Sequence, residues 1–234
     1  MTAIFNGKHV VVTGGTGALG GAVVGMLLDR GATCHVPCMV ERELQRFAHG
    51  DNSRARVKKG VDLRDEVSTS AFYTSLPALW ASIHIAGGFA MGPIEETSLA
   101  DWRAMLDMNA TTCFLCCREA VKRIRATSDT GGRIVNVAAK PALVPTGGMV
   151  AYAASKTAVA NITVSLAEEV KGDNIWVNAV VPSIMDTPAN RAAMPDANFA
   201  AWPSVEAVAA TIVFLASPDN RATRGALAPV YGAS

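Results

Sequence analysis

Tyr152 and Lys156 stand four residues apart in the stretch Met149-Val150-Ala151-Tyr152-Ala153-Ala154-Ser155-Lys156. On a helix that spacing puts both heads on one face. A phenol in water titrates near about 10, and a neighbouring cation favours its ionised form. The pair therefore predicts a proton donor and acceptor near neutral pH, with Lys156 depressing the Tyr152 pKa. A surface lysine one turn from a core tyrosine would show the same spacing, so the rest of the chain must decide.

The elements expected to position this pair begin with Lys8-His9-Val10-Val11-Val12-Thr13, a β-branched run that stops at Gly14-Gly15-Thr16-Gly17-Ala18-Leu19-Gly20. Ala22, Val23, Met26 and Leu27 then recur at helical spacing, and Gly31 closes the segment. A glycine turn between a first strand and a first helix lets backbone approach a pyrophosphate, to which the helix N-terminus offers N–H donors. A second strand is expected over 33–38. In a dinucleotide fold its end carries an acid for a ribose or a base for a 2′-phosphate. Here Cys38 is followed by Met39 and Val40, with Glu41 and Arg42 just beyond, and NAD against NADP stays open.

Further strands are expected over 56–61, 82–86, 133–137, 175–181 and 226–230. Helices are expected over 66–75, from Ser98 through Ile124, from Tyr152 to about 171, and over 205–216. Asn109 falls inside the long helix, where its propensity is poor, so it faces solvent or bonds something within. Residues 185–203 form a long loop without a strong helix signal, a candidate substrate lid. Strands alternating with helices, with no repeat or linker, predict one α/β domain over 1–234. It is a Rossmann-type, doubly wound parallel sheet of about seven strands with helices on both faces and ligands at the carboxyl ends.

Composition narrows the partners. Half the residues are hydrophobic, 18% are charged and the formal net charge is +1, which argues against a nucleic-acid surface. No apolar run reaches the ~18 residues of a spanning helix, and no signal peptide is evident, so no membrane and a cytoplasmic location are expected. The five cysteines are Cys34, Cys38, Cys113, Cys116 and Cys117, an odd count that is no disulfide framework. Cys113-x-x-Cys116 has no second pair or adjacent His and is expected to be buried packing, so no metal is predicted. His84 on its apolar strand is expected to be a satisfied core residue.

Taken together these residues resemble the short-chain dehydrogenase/reductase family along essentially the whole chain. Thr13-Gly14-x-x-Gly17-x-x-Gly20 resembles its glycine fingerprint, Asp62-Leu63 its adenine-side pair, and Ala86-Gly87 its fourth-strand end. Tyr152 and Lys156 fit its catalytic pair, and Asn109 its helix asparagine, which in the family helps hold a relay water near the lysine. Asn178 through Thr187 resembles its nicotinamide-side segment. The family's catalytic serine stands thirteen residues before the tyrosine, where this chain has Ala139. A branch without that serine, the dihydropteridine reductases, is similar at the glycine turn, at Ala86-Gly87-Gly88-Phe89-Ala90, and through Asp186 to Trp202.

The resemblance implies an NAD(P)-dependent oxidoreductase, moving hydride between nicotinamide and a C=O or C=N substrate, pterin-like in its sharper form. Tyr152, Lys156 and Asn109 would be catalytic. The cofactor would meet Gly14, Thr16, Gly17, Ala18, Leu19, Gly20, Cys38, Asp62, Leu63, Ala86, Gly87, Tyr152, Lys156, Pro182, Met185 and Thr187. The substrate pocket would use Phe89, Ala139, Met194, Phe199 and Trp202. A homodimer or homotetramer is expected. The alternatives are a general carbonyl or imine reductase of the same family, and a non-catalytic NAD(P)-binding sensor or scaffold.

Overall fold

The computed structural model describes residues 3–234. Its strands are β1 (His9–Thr13), β2 (Thr33–Cys38), β3 (Ala55–Lys59), β4 (Ala81–His84), β5 (Gly132–Val137), β6 (Ile175–Pro182) and β7 (Leu227–Val230). They form a single seven-stranded sheet in the order β3-β2-β1-β4-β5-β6-β7, with every neighbouring pair parallel. The central strands are buried almost end to end, as a sheet covered on both faces requires.

The helices are α1 (Ala18–Asp29), α2 (Glu66–Thr74), α3 (Leu99–Met105), α4 (Thr112–Thr127), α5 (Val150–Glu169), α6 (Pro188–Ala193) and α7 (Val205–Ala216). Val23, Val24 and Leu27 of α1 and Val208, Ile212 and Val213 of α7 pack with Val10 and Val12 on one face. Phe72 and Tyr73 of α2, Cys116 and Ala120 of α4, and Val159 and Ala160 of α5 pack with Val11 and Ile134 on the other. Each fully buried Val or Ile side chain contributes roughly 1.5–3 kcal/mol of transfer free energy, so these two cores hold the strand ends in place. The strand order reverses between β1 and β4, which opens the crevice where open α/β sheets bind ligands.

Three local features differ from the expected pattern. β3 stops at Lys59 because Gly60 turns the chain at φ +72°. The long helix is interrupted by a π-helical turn over Leu106–Thr111. There the side chain of Asn109 donates to Met105 O and the Thr112 hydroxyl to Met108 O, competing with the regular ladder. The lid contains a helix after all. Thr187 caps α6 by accepting from Asn190 N at 3.2 Å, and Pro188 occupies the first turn, where its missing N–H costs nothing.

Candidate active site

The glycine turn lies at the carboxyl end of β1. Gly14 has φ +64°, and a Cβ there would come within 2.8 Å of Ala86 N at the end of β4. A Cβ on Gly20 would overlap Gly14 O, so turn and helix meet backbone to backbone. Thr13 Oγ1 accepts from Ile85 N and Ala86 N at 3.0 and 3.1 Å, joining the two strand ends across the crevice. α1 starts after Gly17 with no side-chain cap, leaving first-turn N–H groups around Ala18 and Leu19 facing outward from the turn. This cradle, closed to any side chain and lined by N–H donors, fits a pyrophosphate.

The adenosine side is less simple. Cys38 is buried at the end of β2, and its thiol donates to Val40 O at 3.4 Å. Glu41 pairs with Lys59 at 3.5 Å. Glu43, not Glu41 or Arg42, reaches the glycine turn, accepting from Thr16 Oγ1 at 2.6 Å. The short 3-10 turn over Glu41–Arg46 carries it there, and residue type alone gave no signal for that reach. Asp62 binds the Arg64 guanidinium at 2.9 and 3.0 Å, and this hydrogen bonding holds its carboxyl below the ordinary range. Leu63 is buried in the core beneath.

Asn109, Lys156 and Gly87 converge where β4 and β5 end. A Cβ on Gly87 would stand 2.5 Å from Asn109 Oδ1 and 3.4 Å from Lys156 Nζ. Asn109 grips Gly88 at both backbone groups, accepting from its N–H at 3.1 Å and donating to its carbonyl at 3.0 Å. The same amide nitrogen lies 3.2 Å from Ser155 Oγ, whose hydroxyl donates to Tyr152 O at 2.7 Å. Asn109 therefore positions the β4 loop against the Tyr152 helix, and its amide donors are committed. Ser155, a hydroxyl on the buried face three residues after Tyr152, is the link the sequence reading missed.

Lys156 Nζ donates to Val137 O at 2.9 Å. Burial lowers its pKa to about 8. Burial also raises the Tyr152 phenol to about 12, opposite to the depression expected from a neighbouring cation. The reason is geometric. The ammonium is held toward the β5 carbonyl, and desolvation of the phenol dominates. Phe89 meets the Tyr152 ring edge-on with centroids 4.9 Å apart. The β4 loop is tied to the segment before α5 through Gly92 N and Gly148 O at 2.8 Å. Ala139, buried at the end of β5, presents only a methyl group.

The lid begins and ends at one point. Asp186 N donates to Pro203 O at 3.0 Å, and Asp186 bridges to Ser204. Pro182 is buried at the end of β6, Met185 O accepts from Asn190 Nδ2, and Arg191 clamps Asp186 at 2.6 and 2.7 Å. Phe199 and Trp202 pair with each other at 5.0 Å, and Arg191 lies 4.9 Å over Phe199. The two lid rings pair together, with Met194 half-buried on the same loop, while Phe89 alone meets Tyr152. Among the described residues no helix is long and apolar enough to cross a membrane.

Comparison with known proteins agrees with this architecture. A solved structure described as a short chain dehydrogenase/reductase family protein superposes with a TM-score of 0.89 at 24% identity, covering 97% of both chains. A short-chain dehydrogenase/reductase mutant from Serratia marcescens superposes with a TM-score of 0.83 at 26% identity, covering 98% of both. The cis-4-hydroxycyclohexanecarboxylate dehydrogenase of Sinomonas cyclohexanicum is 31% identical over 99% of this chain and 98% of its own. The D-threitol dehydrogenase of Mycolicibacterium smegmatis is 30% identical over 94% of this chain and 90% of its own. With the short chain dehydrogenase model also matching residues 8–198, the chain belongs to the short-chain dehydrogenase/reductase family, whose oxidoreductases generally use NAD(P)(H).

Proposed function

We propose that this enzyme transfers hydride between NAD(P) and a C=O or C=N carbon, with Tyr152 as acid and base. The supporting observation is the convergence of Asn109, Gly87 and Lys156 at the ends of β4 and β5, where Asn109 meets Ser155 of the helix that carries Tyr152 and Lys156. When bound, the dinucleotide supplies or accepts the hydride. Gly14, Thr16, Gly17, Ala18, Leu19 and Gly20 would hold its pyrophosphate, and Cys38, Asp62 and Leu63 would border its adenosine. Ala86, Gly87, Lys156, Pro182, Met185 and Thr187 would line its nicotinamide half. The Glu43 carboxylate beside Thr16 repels a 2′-phosphate and favours NAD.

Tyr152 keeps its proton across the neutral range, which suits a donor in the reductive direction. Lys156, charged below about pH 8 and held toward Val137 O, would hold the nicotinamide ribose one turn along the helix from Tyr152. Asn109 holds the loop and the helix in register. Because Ala139 offers no hydroxyl, a carbonyl oxygen loses one positioned donor, an omission that costs on the order of 10²–10³ in rate for an unactivated ketone. An activated, flat, cyclic C=O or C=N, such as a pterin, tolerates that loss best. Phe89 gives it a wall, and Met194, Phe199 and Trp202 on the lid would close over it.

A second reading, oxidation of a secondary alcohol, is favoured by the names of the relatives, two of which describe dehydrogenases of hydroxylated compounds. A panel of pterins, cyclic imines, cyclic ketones and their alcohols, each run with NADH or NADPH and the oxidised forms, separates these readings. Turnover confined to the alcohol and ketone arms would displace the pterin form. Tight dinucleotide binding with no turnover in any arm would make the chain a sensor instead of an enzyme. We also propose a homo-oligomer formed through the outer faces of α4 and α5, where Phe114 and Val150 are about half exposed. A stable monomer by light scattering at micromolar concentration would contradict it.

A further inference from the structure

Between β4 and α4, in the core shared with α2 and α5, lies a buried cluster that the proposed chemistry does not use. Cys113 and Cys117 stand one turn apart on α4 and turn the same face toward His84 of β4. Their sulfurs are 4.0 Å apart, and Cys117 Sγ is 3.5 Å from His84 Nδ1. The three donor atoms all lie within 4.8 Å of one another, and all three residues are buried. Asn136 Oδ1 completes the ring at 3.5 Å from Cys117 Sγ and 2.8 Å from His84 Nδ1.

A tetrahedral zinc site with Zn–S near 2.3 Å and Zn–N near 2.0–2.1 Å needs sulfurs about 3.8 Å apart and a sulfur–nitrogen separation of about 3.5 Å. The Sγ–Sγ and Cys117–His84 separations of 4.0 and 3.5 Å are close to these, whereas Asn136 Oδ1, hydrogen-bonded to His84 Nδ1 at 2.8 Å, has to draw back to take the fourth position. The surroundings supply the outer shell that metal-bound histidine requires. Ser82 Oγ lies 2.8 Å from His84 Nε2 and Tyr73 OH lies 3.3 Å from it, with Ser82 and Tyr73 themselves 2.8 Å apart. Asn136 Nδ2 donates to Thr163 Oγ1 at 2.9 Å, which points Oδ1 into the cluster. Cys113 and Cys116 are buried as expected, but Cys113 has a histidine near it, and its partner there is Cys117, not Cys116. The histidine is supplied through the sheet from a strand 29 positions before Cys113.

We propose that Cys113, Cys117 and His84, with Asn136 Oδ1 as fourth donor, form a closed site for one thiophilic divalent cation of the zinc class. Binding releases the two thiol protons to solvent and forms two metal–sulfur bonds, so that a divalent ion with two thiolates is neutral. His84 binds through Nδ1 and carries its proton on Nε2, donated to Ser82 Oγ. Asn136 Oδ1, no longer receiving that proton at Nδ1, turns to the metal. No electrons are transferred. The site is independent of the hydride-transfer reading, because its ligands are not among the groups assigned to substrate or dinucleotide.

The test uses the purified full-length chain, kept anaerobic with a thiol-free reductant and titrated with Co²⁺ as a spectroscopic probe and with Zn²⁺. The expected result is one equivalent per chain, with sulfur-to-cobalt charge transfer and the ligand-field bands of tetrahedral Co²⁺. These are retained in Cys34→Ala, whose thiol sits on the opposite face of the sheet, and lost in the double variant Cys113→Ala/Cys117→Ala. Should the double variant not fold, thiol labelling of the unaltered chain decides the matter. Zn²⁺ then slows maleimide modification of Cys113 and Cys117, read by peptide mass, without changing that of Cys38. An octahedral cobalt spectrum, charge transfer that survives the double substitution, or equal labelling with and without Zn²⁺ would overturn the proposal.

Discussion

The floor of the crevice and its lid are built on opposite principles. In the floor, Asn109, Ser155, Lys156 and Thr13 are buried, and each spends its polar atoms on backbone or on one another. In the lid, Asp186, Arg191, Phe199 and Trp202 are half-buried or exposed and are joined by one ion pair and loose ring contacts. The floor is over-determined, as a fixed set of reacting groups must be. The lid is tied at its base, at Asp186 with Pro203 and Ser204 and at Ala201 with Ala233, which leaves its inner wall room to adapt. We propose that reaction type resides in the floor and substrate choice in the lid.

The largest effect is expected from breaking the floor at its glycine turn. Gly20→Ala drives a methyl group into Gly14 O, a backbone atom that cannot step aside, and overpacking of this kind costs typically 1–3 kcal/mol or more. Dinucleotide binding followed by calorimetry should be lost while the far-ultraviolet dichroism of the sheet and helices is kept. Asn109→Ala is next. It removes the partner of the half-buried Gly88 N and O, at most about 1–3 kcal/mol per group, so the thermal midpoint should fall and kcat should drop with KM nearly constant.

Lid changes should be smaller and of the other kind. Trp202→Ala removes a ring pair worth about 0.5–1.5 kcal/mol, which corresponds to a rise in substrate KM of roughly two- to twelvefold with kcat little changed. Arg191→Ala breaks an exposed, solvent-screened ion pair, so stability should barely move. A lid substitution that lowered kcat while sparing KM would erase the contrast between the two regions.

Much of this arrangement was legible in the chain. β-branched runs alternating with helical spacing were enough for the parallel sheet, and the ordered glycine, Tyr152 and Lys156 segments were enough for the crevice. Features set by three-dimensional competition were not legible. The π-turn at Asn109 arises because a side chain outbids a helix hydrogen bond, and no periodicity records that. The lid helix was signalled by Thr187-Pro188, a cap followed by a first-turn proline, but its short length hid it among loop residues. The upward shift at Tyr152 depends on where Lys156 Nζ points, which spacing along a helix does not determine. Glu43 and His84 likewise gained their partners only when distant segments came together.

We propose Tyr152 as the proton donor, with Lys156 charged one turn along the same helix. The most direct test is the pH dependence of kcat/KM for the reduced dinucleotide in the unaltered enzyme and in Tyr152→Phe, since this parameter reports the titrating groups of the free protein. The unaltered enzyme should hold a plateau below about pH 8 and decline above it as Lys156 loses its proton, with Tyr152 still protonated until about 12. Tyr152→Phe should be slower by about 10²–10⁴ across the range. A Phe variant within about threefold of the unaltered rate, where general acid catalysis accounts for at least about 10², would contradict the Tyr152 role.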